Sequence, residues 1–230
     1  MDLNTPALLE NQETTIRLEI LKLGGATLFL IGIVFFINLS MEPTPNHTFL
    51  IVSAVIGGYM ALNIGANDVA NNVGPAVGSK ALTLTGAIFI AMIFESSGAL
   101  IAGGEVVSTI KKGIIDPTLI NNTDTFIWLM LAALLAAAIW LNIATFFNAP
   151  VSTTHSIVGG VLGAGIAAGG FGIANWAVFG KIAASWVISP VLGGLIAALF
   201  LYLIKRTITY QDDMLHAAKR IVPLLIALMA

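Results

Sequence analysis

Cysteine is absent from the chain, and only 10% of its 230 residues are charged. The first absence excludes disulfides and thiolate metal sites and leaves the redox compartment open. The second is more restrictive. A soluble domain carries about 25% charged residues, and a tenth cannot cover a water-facing surface of this size. Basic runs are also missing and the formal net charge is −2, so the chain has no electrostatic footprint for nucleic acid. Nor does it begin with a basic residue cluster followed by an apolar run. Met1 to Glu19 is polar and mixed in charge, with Asp2, Glu10, Glu13, Arg17 and Glu19. Residues 1–20 therefore read as an amphipathic or disordered cytoplasmic lead-in, not as a secretory signal.

Apolar length is what the chain has instead. Hydrophobic residues make up 57% of it, and the mean hydropathy is +0.95. A crossing needs roughly 20 apolar residues, which allows about five to seven crossings. Apolar segments run over Leu21–Leu39, Phe49–Ile64, Leu82–Ala102, Phe126–Phe147, Ile157–Gly170 and Ile182–Ile204. The expected fold is therefore an all-α polytopic transmembrane helix bundle of about six apolar segments. Phe126–Phe147 and Ile157–Gly170 form either two crossings or one re-entrant hairpin, an even number in both cases. Pro43 and Pro45 mark the first loop, and Lys111 to Asp124 a second, polar one that includes Asn121. Pro223 to Ala230 is apolar again but too short to cross. It reads as the start of a further span, and the chain as a piece of something longer. The segments expected are a polar 1–20, an extra helix and loop over 21–45, a repeat over 46–204, and a cytoplasmic linker with the start of a span over 205–230.

Lysine and arginine set the orientation. With the N-terminus inside, Arg17, Lys22, Lys80, Lys205, Arg206, Lys219 and Arg220 are cytoplasmic, against Lys111, Lys112 and Lys181 outside. That asymmetry favours a cytoplasmic N-terminus in a plasma (inner) membrane.

Two polar breaks interrupt the apolar pattern, and irregular backbone at membrane depth is tolerated only inside protein or beside a watery cavity. The first break, Gly65 to Pro75, holds Asp68 among Asn63, Asn67, Asn71 and Asn72. On a helix, Asn67 and Asn71 share a face, as do Asp68 and Asn72. A carboxylate with amide and backbone oxygens makes a hard-oxygen cation site. Gly65, Gly74 and Pro75 let the helix unwind there. The bland alternative is a polar loop at the interface. The second break packs four hydroxyls and an imidazole into Ser152-Thr153-Thr154-His155-Ser156. Hydroxyls and free N–H groups at a helix start suit a tetrahedral oxyanion, although Ser and Thr also cap ordinary helices. His155 reads as a structural histidine, because no second His or Cys stands near to complete a metal set. Glu95, mid-way along the third span, must face the bundle interior or be protonated. It is a further candidate for the cation or for a coupled proton. The small residues of Gly159–Gly170 suit close packing between helices.

At these breaks the sequence resembles the inorganic phosphate transporter (PiT) family. Gly65-Ala66-Asn67-Asp68-Val69-Ala70-Asn71 is similar to its GANDVAN signature, and Pro150-Val151-Ser152-Thr153-Thr154-His155-Ser156 to its second motif. Phe94-Glu95 with Gly98-Ala99 is similar to the family as well. The likeness covers about Gly57 to Leu203. It implies a bundle that is one half of an inverted-repeat transporter, moving phosphate with sodium or protons. It also implies a cation set of Asn67, Asp68, Asn71 and Glu95, and a phosphate set of Ser152, Thr153, Thr154, Ser156 and Asn71. The sequence holds one GAND segment where the family has two. The expected partners are inorganic phosphate, sodium or a proton, the lipid bilayer, a second inverted repeat in the same longer chain or a separate subunit, and further copies of the chain. No cofactor other than the coupling ion is expected, and no metal beyond it. Sulfate on the same fold, or a non-transporting half-subunit, remain open. An enzyme built on Ser152, His155 and Asp68 is disfavoured, because nothing in the spacing marks an activated nucleophile.

Overall fold

The computed structural model describes residues 5–42, 45–120 and 122–229. Met1 to Asn4 of the polar lead-in, Pro43 of the first loop and Asn121 of the second lie outside the described residues. So do the side chains of Lys111 and Lys112. The described residues are almost wholly helical and fall into two compact units divided after Asn175. Among the described residues, five helices are long and apolar enough to cross a bilayer. The chain is an integral membrane protein built as a helical bundle.

The first unit begins with α1 (Thr5–Ser40) and α2 (His47–Ile64). The first apolar helix thus starts well before Leu21 and takes in most of the polar stretch. The two helices meet at Gly58, where an added Cβ would run into the Ile33 side chain. In lipid, apolar burial gives helices no drive to associate, so close approach at small residues and interhelical hydrogen bonds hold them together.

The expected break after Ile64 takes a different form. Gly65–Val69 is one turn of π-helix that leads directly into α3 (Ala70–Gly78). The apolar helix is therefore continuous from His47 to Gly78, over 32 residues. A π-turn admits an extra residue while every neighbour stays helical, so the backbone need not unwind to re-aim its side chains. Pro75 sits inside α3 and offers no N–H to the Asn71 carbonyl one turn back. The helix stops at Lys80, whose φ of 61° is left-handed. Lys80 N–H bonds to Val77 O and Ala81 N–H to Ala76 O, each at 3.0 Å, the two bonds of a Schellman cap.

After Thr83 as N-cap, α4 runs Leu84–Gly113, eleven residues past the expected end at Ala102, so Glu105 is helical. Helix α5 (Thr123–Phe146) and helix α6 (Thr153–Gly169) pack antiparallel as a hairpin. An added Cβ at Gly160 would stand 2.6 Å from the Ala133 carbonyl oxygen, whereas Gly159 faces open space. At the base of the hairpin, Asp116 N–H bonds to Ile173 O at 2.8 Å and Asn175 N–H to Ile114 O at 2.9 Å. This short bridge ties the end of α4 to the end of α6 and buries Ile114, Ile115 and Ile173. Beside it, Asp116 accepts from the hydroxyl and the N–H of Thr118, which hold its carboxyl below the usual carboxylate range.

The second unit, considered alone, is α7 (Trp176–Ile204), a π-turn over Lys205–Thr209 and α8 (Met214–Met229). Trp176, Phe179 and Trp186 stack edge to face in sequence along α7. Arg206 donates to the Tyr202 hydroxyl at 2.9 Å.

Gly160→Ala should lower thermal stability in detergent by about 1–3 kcal/mol, because backbone rather than a flexible side chain blocks the new methyl. Gly159→Ala should leave the melting temperature unchanged.

Candidate functional site

Helix α5 ends in a second Schellman cap, with Asn148 at a φ of 53°. Asn148 N–H bonds to Thr145 O and Ala149 N–H to Ala144 O. Asparagine tolerates that left-handed conformation. The chain then turns through Pro150, and Ser152 starts α6 as its N-cap. Turning at this point brings the hairpin tip onto the π-turn.

Asn67 makes the junction. Its Nδ2 donates to Thr145 Oγ1 at 3.1 Å and to Ala149 O at 3.0 Å. Its Oδ1 accepts from Val151 N–H at 3.2 Å and from Asn71 Nδ2 at 3.3 Å. One side-chain amide thus satisfies a carbonyl and an N–H on either side of Pro150, as a paired backbone would. Asn67 is 5% exposed, so both lone pairs and both protons of its amide are committed within protein. The junction lies about three turns, roughly 16 Å, short of the end of α3 at 1.5 Å per residue. The hairpin tip therefore stops partway along the long helix.

The second motif is helical from Thr153, four residues earlier than expected, so its hydroxyls belong to a first turn. Ser152 Oγ accepts from His155 N–H at 3.3 Å. Ser156 N–H and Oγ both bond to Ser152 O, at 3.1 and 2.8 Å. The first turn of a helix leaves its leading N–H groups without intrahelical acceptors. With His155 capped, those of Thr153 and Thr154 are the open ones among the described residues. Thr153 Oγ1 is buried and has no hydrogen-bond partner among the described residues. A buried hydroxyl left this way costs about 1–3 kcal/mol and in a native protein points to a missing partner. The partial positive charge of the helix start favours an anion as that partner. Trp140, Pro150, Val151, Ser152, His155 and Ser156 line a cavity of about 400 Å³ here. Neither the buried Thr153 nor the exposed Thr154 lines it.

The remaining candidates divide. Asp68 is half-buried next to Asn67, and Asn71 is tied to Asn67. Glu95 lies elsewhere. With Asn72 it lines a larger cavity of about 730 Å³ between α3 and α4. Among the described residues no three of His, Asp and Glu gather as metal ligands.

Comparison with known proteins gives this arrangement a context. The sequence model of the phosphate transporter family matches residues 64–230, starting at the residue before the π-turn. The chain belongs to the phosphate transporter family. A Helicobacter pylori (strain J99) protein described as "Putative phosphate permease" is 54% identical over 221 residues, covering 96% of this chain and 42% of its own length. A Pyrococcus horikoshii protein of like description is 45% identical over 184 residues, covering 80% of this chain and 45% of its own. A solved structure described as "The sodium-dependent phosphate transporter" superposes with a TM-score of 0.74 at 42% identity, over 79% of this chain and 45% of that one. The chain spans less than half the length of these relatives.

Three residues at the junction escape a reading of motifs. Thr145 and Asn142 are polar positions inside the apolar run of α5, three apart and so on one face, which was their available signal. Trp140 carried none.

Asn67→Ala would leave Ala149 O and Val151 N–H unpaired, at about 1–3 kcal/mol each. Amide hydrogen exchange should rise by at least about tenfold over Asn148–Ser152, as a local opening of that size requires, and stay unchanged at the Ile114–Asn175 bridge.

Proposed function

We propose that the chain forms one repeat of a secondary transporter that carries inorganic phosphate together with sodium or protons. The observation carrying this reading is the buried Thr153 hydroxyl at the start of α6, which has no partner among the described residues, beside the first-turn N–H groups of Thr153 and Thr154. Tetrahedral oxyanions accept many hydrogen bonds from different directions, and Thr153, Thr154 and Ser152 supply donors. Ser156 spends its proton on Ser152 O and so serves the anion less directly. Likewise the Asn71 amide donates to Asn67. The names of the relatives support phosphate as the anion, and the name of the solved structure supports sodium.

In this reading a cation is held by Asp68, Asn71 and neighbouring carbonyls, among them the Asn71 carbonyl that Pro75 leaves without a helical donor. Asn67 acts by fixing the hairpin tip. Glu95, in its own cavity, is a separate cation or proton site. Neutralising Asp68 at the π-turn removes a negative charge from the neighbourhood of the anion, which couples the two ligands. Protonated phosphate can donate to a carboxylate, which favours it over sulfate. A second, inverted repeat completes the path, in the same longer chain or as a separate subunit, and the N-terminus is cytoplasmic.

The test is initial uptake of labelled phosphate by proteoliposomes of the full-length protein, with and without sodium and across pH. Thr153→Val should raise KM for phosphate about 10- to 100-fold, the worth of one hydrogen bond to a charged group, without lowering the melting temperature. A melting temperature that falls, with KM unchanged, would make the hydroxyl structural. Asp68→Asn should abolish sodium-dependent uptake more completely than Ser152→Ala. It removes a full charge in a partly dry site, where Coulomb terms reach several kcal/mol. Sodium dependence that survives in Asp68→Asn would shift the coupling ion to Glu95.

A further inference from the structure

Helices α2 and α5 run side by side in the same direction, and their pairing has a fixed register. The Phe49 and Trp128 rings meet at 5.0 Å. Fourteen residues further along each helix, Asn142 Nδ2 donates to Asn63 Oδ1 at 3.0 Å, across a sequence separation of 79. Beyond them Asn67 meets Thr145 at a separation of 78. The register changes by one residue across the π-turn, which absorbs it. Between the ring contact and the first of these polar pairs lie Met60, Ala137, Ala138 and Leu141.

That apolar surface does little to fix the register. Leu131-Ala132-Ala133-Leu134-Leu135-Ala136-Ala137-Ala138 presents alanine and leucine at every turn. A slide of α5 by one turn, about 5.4 Å, would bring similar small residues to the same surface. In lipid no hydrophobic gain penalises the slide either. A polar pair breaks that degeneracy. Asn63 is 4% exposed, and its Nδ2 is committed to Tyr59 O at 2.9 Å. Slid by a turn, its Oδ1 would face Ala138 or Phe146 and lose its donor. A single buried asparagine fixes register and partner choice in coiled coils by the same penalty.

We propose that Asn63 and Asn142 are a register pin. They set the depth of the α5–α6 hairpin against α2, and so deliver the tip, with Ser152 and Thr153, to the π-turn. They are positioning residues and touch neither ion. The proposal rests on the reading of Thr153 and its neighbours as the anion site for its effect on transport, but the register itself can be measured without transport.

Asn63→Leu/Asn142→Leu is the decisive variant. Replacing both partners by apolar groups of similar shape leaves no unpaired amide and is close to neutral for stability. Register is read first, in the full-length protein with any cysteine outside these 230 residues replaced by serine; the 230 themselves hold none. Cysteines at Phe49 and Trp128 should cross-link in both backgrounds. Cysteines at Phe49 and Ala132, one turn along α5, should cross-link substantially only when the pin is removed. Uptake is read second. The double variant should raise KM for phosphate about tenfold or more, as small misplacements of a binding group do, with Vmax within a factor of about two. Asn142→Gln keeps the donor and should restore KM. An unchanged cross-linking pattern overturns the pin, and so does a wild-type KM in the double variant. Absence of phosphate uptake in the wild type would overturn the proposed substrate instead, and the cross-linking result would still decide the pin.

Discussion

A hairpin tip placed deep in a helical bundle must have its backbone groups satisfied by protein, since lipid offers no donor or acceptor. In this chain that requirement falls on Asn67. Pro150 keeps the tip from pairing with itself, because it contributes no N–H and leaves Ala149 O and Val151 N–H facing outward on either side. A side-chain amide is the one group that can answer both at once, with an acceptor and a donor in the same plane. Asn67 does so from a buried position on the π-turn. The start of α6, and with it the hydroxyls of the second motif, is held at the π-turn by that contact, and the Asn63–Asn142 pair lies one turn before it along α2 and α5.

The rest of the first unit serves the same end. Gly160 lets α6 press against the backbone of α5, and the Ile114–Asn175 bridge fastens the base of the hairpin to the end of α4. The hairpin is thus held at its base by backbone pairing, along its length by close packing, and at its tip by one amide. It also separates two chemistries. The donors of the α6 start lie at the tip and Asp68 on the π-turn next to Asn67, whereas Glu95 opens onto the cavity between α3 and α4.

The sequence alone determined the membrane environment, because a tenth of charged residues with long apolar runs admits no other solvent. It also determined the two places where polar chemistry concentrates, since a carboxylate or a run of hydroxyls within apolar segments stands out by composition. Signature likeness then assigned the family, and that assignment holds. The tertiary structure decided how each residue is used. Asn67 and Asp68 are neighbours with equal claims as cation ligands in the sequence, but only the fold shows that the Asn67 amide is filled by the hairpin tip. The polar run at Gly65–Pro75 looked like a break, because glycine, asparagine and proline disfavour helix. Packing against α5 kept it helical, with a π-turn taking up the extra residue. Asn142 and Thr145 read as incidental polar positions in a span, since their partners lie 79 and 78 residues away. Periodicity sees neighbours within a few turns, and contacts at that range exist only once the helices are packed.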